Sequence, residues 1–222
     1  MSNFKIIQRR SPNFDQRVND YVIDMLVLHY TGMINADTAL QRLCNSDAKV
    51  SAHYLIDEDG ECFQLVEESN RAWHAGESSW AGSGDINNRS IGIELANAGH
   101  EFDYKPFPEA QMKSLEKIAK DVLTRHAIPG HRILGHSDIA PLRKIDPGEK
   151  FPWKYLSSKN IGIYPKKIKI KNGFQLETKN SKTFFKNLYK IGYRYLNKRP
   201  QNRIVKNFQR RYRQKKVNGF LD

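Results

Sequence analysis

The sequence predicts an α/β fold in which a mixed central sheet is flanked by helices, with a small helical domain at the C-terminal end. Short apolar runs of strand character alternate with segments of helical spacing through most of the 222-residue chain. The chain then turns basic, and two further helical stripes follow. We place the first domain at residues 1–157, a linker at 158–179 and the helical domain at 180–222.

The first half of the chain contains clear strand, helix and hairpin patterns. The run YVIDMLVLHYTG is dominated by Val, Ile, Leu and Tyr and predicts a buried strand that ends at His29. In NADTALQRLCN, a capping Asn or Asp precedes apolar residues at helical spacing and predicts a short helix. Two strand-like runs in SAHYLIDEDGECFQLV flank Asp59 and Gly60, which predicts a hairpin whose first arm contains His53.

A long irregular loop is predicted for RAWHAGESSWAGSGDINNRS, because Gly, Ser and Asn are dense there. The next run, SIGIELAN, alternates, so its aliphatic residues share one strand face while Glu94 lies on the other with the small residues Gly92 and Ala96. Those small neighbours leave room for a ligand. The run PEAQMKSLEKIAKDVLTRH predicts an amphipathic helix from Pro108 to about His126.

Charge is divided unevenly along the chain. Residues 158–222 contain 19 Lys and Arg against 2 Asp and Glu, a net charge of +17, whereas residues 1–157 have a net charge of −4. A basic tail predicts attraction to polyanions. Composition alone does not choose among nucleic acid, an anionic membrane surface and an acidic cell-wall polymer.

The two cysteines, Cys44 and Cys62, match no metal-binding spacing and exclude a disulfide scaffold. We expect reduced thiols, although one bridge stays open. The N-terminal segment lacks the apolar core of a signal peptide, and no run of about 18 apolar residues predicts a transmembrane segment. We expect a monomer that is cytoplasmic as written, or that acts in the periplasm or cell envelope if a leader has been removed.

Three candidate metal ligands stand at predicted strand ends or in loops: His29, His136 and Asp146. Two imidazoles and one carboxylate are a common set for catalytic zinc, with one coordination position left open. Alone, a histidine such as His29 is more simply explained as a core residue with a backbone partner. The combination predicts a zinc site.

Two more side chains have the chemistry that hydrolysis at such a site requires. Glu94 can accept a proton from the attacking water and return it to the leaving amine. Lys144 stands two residues before Asp146 in GHSDIAPLRKIDPG, so in an extended segment both point the same way and the ammonium can stabilise an oxyanion. A solvated glutamate and a surface lysine are the simpler alternatives.

Six motifs in order carry a family resemblance: VLHYTG, VSAHYLIDEDG, RAWHAG, SIGIELAN, GHSDIAPLRKIDPG and FPW. Together they resemble the zinc-dependent N-acetylmuramoyl-L-alanine amidases of the AmpD and AmiD type. The resemblance implies that His29, His136 and Asp146 bind zinc. It also implies that Glu94 is the general base and that Lys144 assists the intermediate.

The resemblance covers roughly residues 20 to 156 and extends to weaker assignments. It implies that His74 lines the substrate cleft with Trp73; packing within the loop is the alternative for His74. We expect His53 to orient the site from behind the ligands, or to be an ordinary strand histidine. Asn97 at the strand end is a candidate for binding peptide or sugar, although polar residues are usual there.

The tail resembles the small three-helix peptidoglycan-binding domain of many wall hydrolases, through LxxxGY, VxxFQxxY and NGxLD elements over about residues 175 to 222. This resemblance implies affinity for the cell wall, which an excess of positive charge suits. A helical extension that packs on the first domain through Phe208 and Tyr212 is the alternative.

The sequence therefore predicts a zinc hydrolase that cleaves the amide between N-acetylmuramic acid and L-alanine, with peptidoglycan or a muropeptide as its binding partner. One alternative is a recognition module that binds muropeptide without cutting it. Another is a basic nucleic-acid-binding protein, but the tail contains no specific nucleic-acid motif. A third is a different zinc hydrolase, and the absence of HExxH counts against the commonest zinc peptidases.

Overall fold

The structure is a computed structural model that describes residues 5–18, 22–165, 181–198 and 200–221. Most of the predicted linker 158–179 lies outside the described residues. Within the described ranges the fold is the expected α/β fold, a mixed sheet with helices on both faces.

The secondary-structure elements begin with three strands, mix strands and helices through the middle of the chain, and end with a run of helices. The strands are β1 (Ile6–Gln8), β2 (Phe14–Gln16), β3 (Met25–Tyr30), β4 (Tyr54–Ile56), β5 (Cys62–Gln64), β6 (Asn70–Ala72), β7 (Ser90–Leu95) and β8 (Ile133–Gly135). The helices are α1 (Ala36–Leu43), α2 (Ile86–Arg89), α3 (Glu109–Arg125), α4 (His136–Ile139), α5 (Trp153–Ser158), α6 (Ser181–Ile191) and α7 (Gln201–Tyr212). Short 3₁₀ turns occupy Ser46–Ala48 and Gly130–Arg132.

Within the residues that the structure describes, the main sheet has six strands in the order β1-β5-β4-β7-β3-β8. Strands β4 and β5 form the predicted antiparallel hairpin, and the other neighbouring pairs are parallel. A separate antiparallel pair joins β2 to β6. The sequence predicts irregular loop for β6 and α2, because β6 is stabilised by pairing with a distant strand that leaves no mark on its local pattern.

Strand β3 lies between β7 and β8 and is buried on both faces, which explains its unbroken apolar run. Because side chains alternate along a strand, Leu26 and Leu28 face the cluster that contains α3. Met25 and Val27 face a second cluster on the opposite side. The predicted helical stripe of α3 is buried as expected, and the Asn35 side chain caps α1 by accepting from the backbone N–H of Thr38.

Helices α6 and α7 join the hydrophobic core of the sheet. Leu188, Tyr193 and Ile204 are fully buried and share one cluster with Met25 and Val27 of β3. The apolar stripes that the sequence assigns to a small separate domain are thus covered by the sheet. Local sequence pattern identifies an apolar helix face but not the surface that covers it.

The sequence predicts reduced cysteines and no transmembrane segment. Cys44 and Cys62 are both free thiols, and burial raises the pKa of the Cys62 thiol to about 12. Across the part of the chain that the structure describes, no helix combines the length and apolar character needed to cross a bilayer.

Candidate active site

The carboxyl ends of three parallel strands bring the predicted site residues together. His29 lies near the end of β3, directly beside Glu94 of β7 in the strand register. On the other side of β3, Leu28 is paired with Gly135 of β8, and His136 follows as the first residue of α4. Because the three strands are parallel, these side chains emerge at the same edge of the sheet, where α/β proteins commonly bind ligands.

The predicted metal ligands converge on one point. His29 Nδ1 lies 3.0 Å from His136 Nδ1 and 3.3 Å from Asp146 Oδ2. His136 Nδ1 lies 3.1 Å from the same Asp146 oxygen. Tetrahedral zinc with ligand bonds of about 2.0–2.1 Å separates its ligand atoms by about 3.3 Å, so this triangle fits one zinc-sized ion. Among the described residues, this is the group of His, Cys, Asp and Glu side chains that could hold a metal.

A chain of hydrogen bonds fixes the protonation of the His29 ring. The Ser90 hydroxyl donates to the carbonyl of Ile86 at 2.6 Å, so its oxygen accepts from His74 Nε2 at 3.1 Å. His74 Nδ1 therefore accepts from His29 Nε2, 3.0 Å away. This assignment leaves the lone pair of His29 Nδ1 directed at the ligand triangle, as a metal ligand requires.

The His136 ring is oriented in the same way. Its Nε2 donates to the backbone carbonyl of Ala75 at 3.0 Å, which turns Nδ1 towards His29 and Asp146. Arg143 donates to the same carbonyl at 2.7 Å and to the carbonyl of Glu77 at 3.0 Å, so the loop that orients His136 is itself held in place.

Electrostatics keep both the imidazole and the carboxylate in the states that bind a cation. Burial, with the neighbouring His136, lowers the pKa of His29 to about 4, so the ring is neutral near pH 7. Burial alone would raise the pKa of Asp146, but His136 and His29 beside it hold that pKa well below its usual range. An ionised carboxylate beside two imidazole nitrogens is a donor set that suits a divalent cation.

Gly92 is required by the position of His74. A Cβ atom at residue 92 would lie 2.4 Å from Cγ of the His74 ring, so any side chain would displace the imidazole. The sequence assigns the space beside Gly92 to a ligand. In the structure the buried His74 ring occupies it, and this ring holds His29.

Glu94 lines a cleft of about 440 Å³ together with His136, Asp146, His74 and Lys144. His29 is buried beside this cleft, in contact with His136 and Asp146. Its Oε2 atom is buried and has no hydrogen-bond partner among the described residues. Burial, reinforced by the charge of Asp146 and opposed by Lys144, raises the pKa of Glu94 to about 8. An unpartnered carboxylate of raised pKa in a cleft has the character of a general base.

Two of the residues expected to bind substrate lie away from this cleft. The Trp73 indole donates to Asp15 Oδ2 at 2.8 Å, and Trp73 is not among the residues that line the cleft. Asn97 donates to the carbonyl of Lys105 at 3.0 Å and lines a neighbouring groove instead. Each of these side chains is oriented by a hydrogen-bonded partner outside the cleft.

His53 is wholly buried behind the site, where it touches no cleft surface. Its Nδ1 accepts from the backbone N–H of Gly92 at 2.9 Å, and its ring meets that of His74 edge-on with centroids 5.8 Å apart. His53 thus contacts the strand and the ring that lie beside His29.

Sequence analysis missed two residues that orient the ligands, Ser90 and Arg143. Arg143 stands beside Lys144 in the GHSDIAPLRKIDPG motif and could have been singled out on that ground. Ser90 opens β7, and its contact with His74 depends on tertiary folding, so no local pattern marks it.

Comparison with known proteins agrees with this geometry. The family described as N-acetylmuramoyl-L-alanine amidase matches residues 19–149. AmiD of Escherichia coli (strain K12) is 35% identical over 221 residues, which cover 90% of this chain and 78% of AmiD. AmpD of Haemophilus influenzae is 37% identical over 170 residues, which cover 68% of this chain and 90% of that protein.

Two solved structures are similar over most of the chain. One is E. coli AmiD with the substrate anhydro-N-acetylmuramic acid-L-Ala-D-γ-Glu-L-Lys, at 32% identity and a TM-score of 0.77, covering 92% of this chain and 86% of that one. The other is AmpDh3 from Pseudomonas aeruginosa in complex with anhydromuramic pentapeptide, at 28% identity and a TM-score of 0.78, covering 92% and 89%. With a family match over more than half of its length, the chain belongs to the N-acetylmuramoyl-L-alanine amidase family.

Proposed function

We propose that this protein hydrolyses the amide bond between N-acetylmuramic acid and L-alanine in muropeptides or peptidoglycan, and that zinc is its metal. The observation that carries the proposal is the convergence of the His29, His136 and Asp146 ligand atoms at the cleft that Glu94 lines. Solved relatives that bind anhydromuramyl peptides support this substrate class.

Zinc would be held by His29 Nδ1, His136 Nδ1 and Asp146 Oδ2, whose lone pairs and spacing suit a tetrahedral ion. When bound, it polarises the carbonyl of the scissile amide and lowers the pKa of water. Three protein ligands are typical of catalytic zinc, whereas structural zinc sites use four.

Glu94 would move the proton and Lys144 would stabilise charge. The raised pKa of Glu94 allows its carboxylate to take a proton from the attacking water and to return it to the leaving amine of L-alanine. Lys144 lines the same cleft, and its ammonium can stabilise negative charge that develops on the carbonyl oxygen. These roles account for a glutamate and a lysine in one cleft.

The experiment is hydrolysis of a soluble anhydro-N-acetylmuramyl tripeptide by the zinc-loaded protein, with mass spectrometry of the released peptide. We expect a new free amino terminus on L-alanine. Glu94→Gln should lower kcat by about 10²–10⁴-fold, because it removes the general base while keeping the shape of the side chain. Glu101→Gln is the matched control, since Glu101 also lines the cleft but is exposed.

Outcomes of this assay separate the alternatives. Tight binding of the tripeptide without release of the peptide by the wild type would favour a non-catalytic recognition module. Cleavage of a different bond would point to another class of zinc hydrolase. Unchanged turnover by Glu94→Gln would remove Glu94 from the mechanism but leave the reaction in place.

We also propose that the basic C-terminal part, predicted at 180–222, increases affinity for the anionic cell wall. The net charge of +17 over residues 158–222 supports this proposal. The protein should sediment with isolated sacculi and be released as salt is raised, because salt screens charge attraction. Stronger retention on oligonucleotides than on sacculi would favour the nucleic-acid alternative.

A further inference from the structure

Helix α7 contacts the ligand-bearing segment through polar side chains at helical spacing. Its apolar stripe, which includes Ile204, is buried against the sheet. A second stripe contains Asn207, Arg210 and Arg211, which stand on one face because residues three and four apart are neighbours on a helix. These side chains contact residues 133–149, the segment that carries His136, Lys144 and Asp146.

Asn207 holds the part of that segment next to Lys144. The side chain is 1% exposed, and its Nδ2 donates to the backbone carbonyls of Pro141 and Lys144, at 2.8 Å each. Arg210 donates to Asn207 Oδ1 at 2.8 Å, so both ends of the amide are used. The carbonyl of a residue placed in the cleft is therefore held directly by α7.

Arg211 holds the part of the segment around His136. Its guanidinium, 2% exposed, donates to the carboxylate of Asp138 and to the carbonyl of Ile133, at 2.9 Å each. The same Asp138 oxygen accepts from the backbone N–H of Gly135 at 2.8 Å. Arg211 thus connects the strand before His136 to the helical turn after it, and it stacks over Trp153 at 3.8 Å.

Helix α7 and the residues just after it also contact the segment beyond Asp146. Arg210 Nε donates to Glu149 at 3.2 Å. Gln214, one turn past Arg210, donates to the carbonyl of Phe151 at 2.7 Å. A helix that only covered the sheet would need its apolar stripe alone, whereas these side chains satisfy backbone carbonyls on both sides of the ligands.

We propose that α7 is a positioning element of the active site, in which Asn207 fixes Lys144 and Arg211 fixes the turn that carries His136. The part of this inference that concerns kcat rests on the proposed function. The inference concerns a part of the chain outside the family match, which ends at residue 149. This role also differs from wall binding, because a positioning element affects the hydrolysis of soluble substrates as well as of the cell wall.

The test uses the full-length, zinc-loaded protein with Asn207→Asp. Aspartate keeps the acceptor for Arg210 but cannot donate to the two carbonyls. Asn202→Asp is the matched control, because Asn202 lies on the same helix but is exposed. Asn207→Ala is a second variant that adds no charge, and melting temperatures and near-ultraviolet circular dichroism report whether each variant is folded.

With the soluble anhydro-N-acetylmuramyl tripeptide, we expect Asn207→Asp to lower kcat by about 10–100-fold while KM changes little, because displaced catalytic groups cost rate more than binding. Zinc Kd, measured by competition with a chelator, should rise by about 10-fold through displacement of the neighbouring Asp146. Asn202→Asp should match the wild type in both measurements.

Wild-type kcat and zinc Kd in the folded Asn207 variants would overturn the positioning role. So would a defect confined to sacculi, since that result would assign α7 to wall binding. If the wild type itself binds zinc but releases no peptide, the proposed function fails. The difference in zinc Kd between the Asn207 and Asn202 variants would then still decide the positioning role.

Discussion

Replacing Gly92 by alanine tests whether His74 sets the affinity for metal. The new Cβ would lie 2.4 Å from Cγ of the His74 ring. Non-bonded carbon atoms settle at about 3.5–4.0 Å, so the ring has to retreat by about 1 Å or more. That movement breaks the 3.0 Å hydrogen bond through which His74 holds His29 Nε2.

The expected loss can be worked out from this contact. Removing a partner that orients a metal-binding histidine typically costs about 10–100-fold in metal affinity, which is about 1.4–2.7 kcal/mol. Overpacking at a buried strand also lowers the free energy of unfolding by about 1–3 kcal/mol. We therefore expect weaker zinc binding in a protein that is less stable but still folded.

The assay is zinc Kd by chelator competition, combined with urea unfolding of the metal-free protein. Gly84→Ala is the matched control, because a Cβ at Gly84 would meet no atom within 4 Å. His74→Ala should reproduce the loss of zinc affinity, and the double variant should add little to either single change, since both act through one contact. Wild-type zinc Kd in Gly92→Ala would refute the reasoning.

Three other predictions concern the ligands, the lysine and pH. Asp146→Ala should no longer hold stoichiometric zinc by elemental analysis, and full retention would exclude Asp146 as a ligand. Lys144→Met should lower kcat by about 10²–10³-fold with zinc content unchanged, because it removes an oxyanion partner; a change in KM alone would instead assign Lys144 to substrate binding. Burial, together with Arg17, lowers the pKa of His53 from 6.5 to about 3. As pH falls, the unfolded chain therefore protonates this imidazole at a higher pH than the folded chain does. His53 therefore contributes its stability in full above about pH 6.5 and loses it as pH falls from there towards 3, by up to about 1.4 kcal/mol per pH unit. Urea unfolding of the metal-free protein between about pH 7 and 5 should show this slope added to those of His29 and His74, whose pKa values are also lowered. His53→Gln should reduce the total slope by about one proton's share, about 1.4 kcal/mol per pH unit at most.

Local pattern was sufficient for the elements that carry the site. The apolar run before His29 predicts a buried strand, and β3 is such a strand. The alternation in SIGIELAN predicts the face of Glu94, and the Asp59 and Gly60 turn predicts the β4–β5 hairpin. Each of these features depends on neighbours within a few residues, so the sequence alone contains the information.

The sequence by itself determined the α/β class, the chemical identity of the candidate ligands and the excess charge of the tail. Only the tertiary structure decided that Ser90 and His74 orient His29, that Trp73 is drawn to Asp15, and that α7 contacts the ligand segment. Residue type and short-range periodicity are written locally along the chain. Hydrogen bonds between residues far apart form only after the strands have paired, and no local pattern encodes which partners will meet.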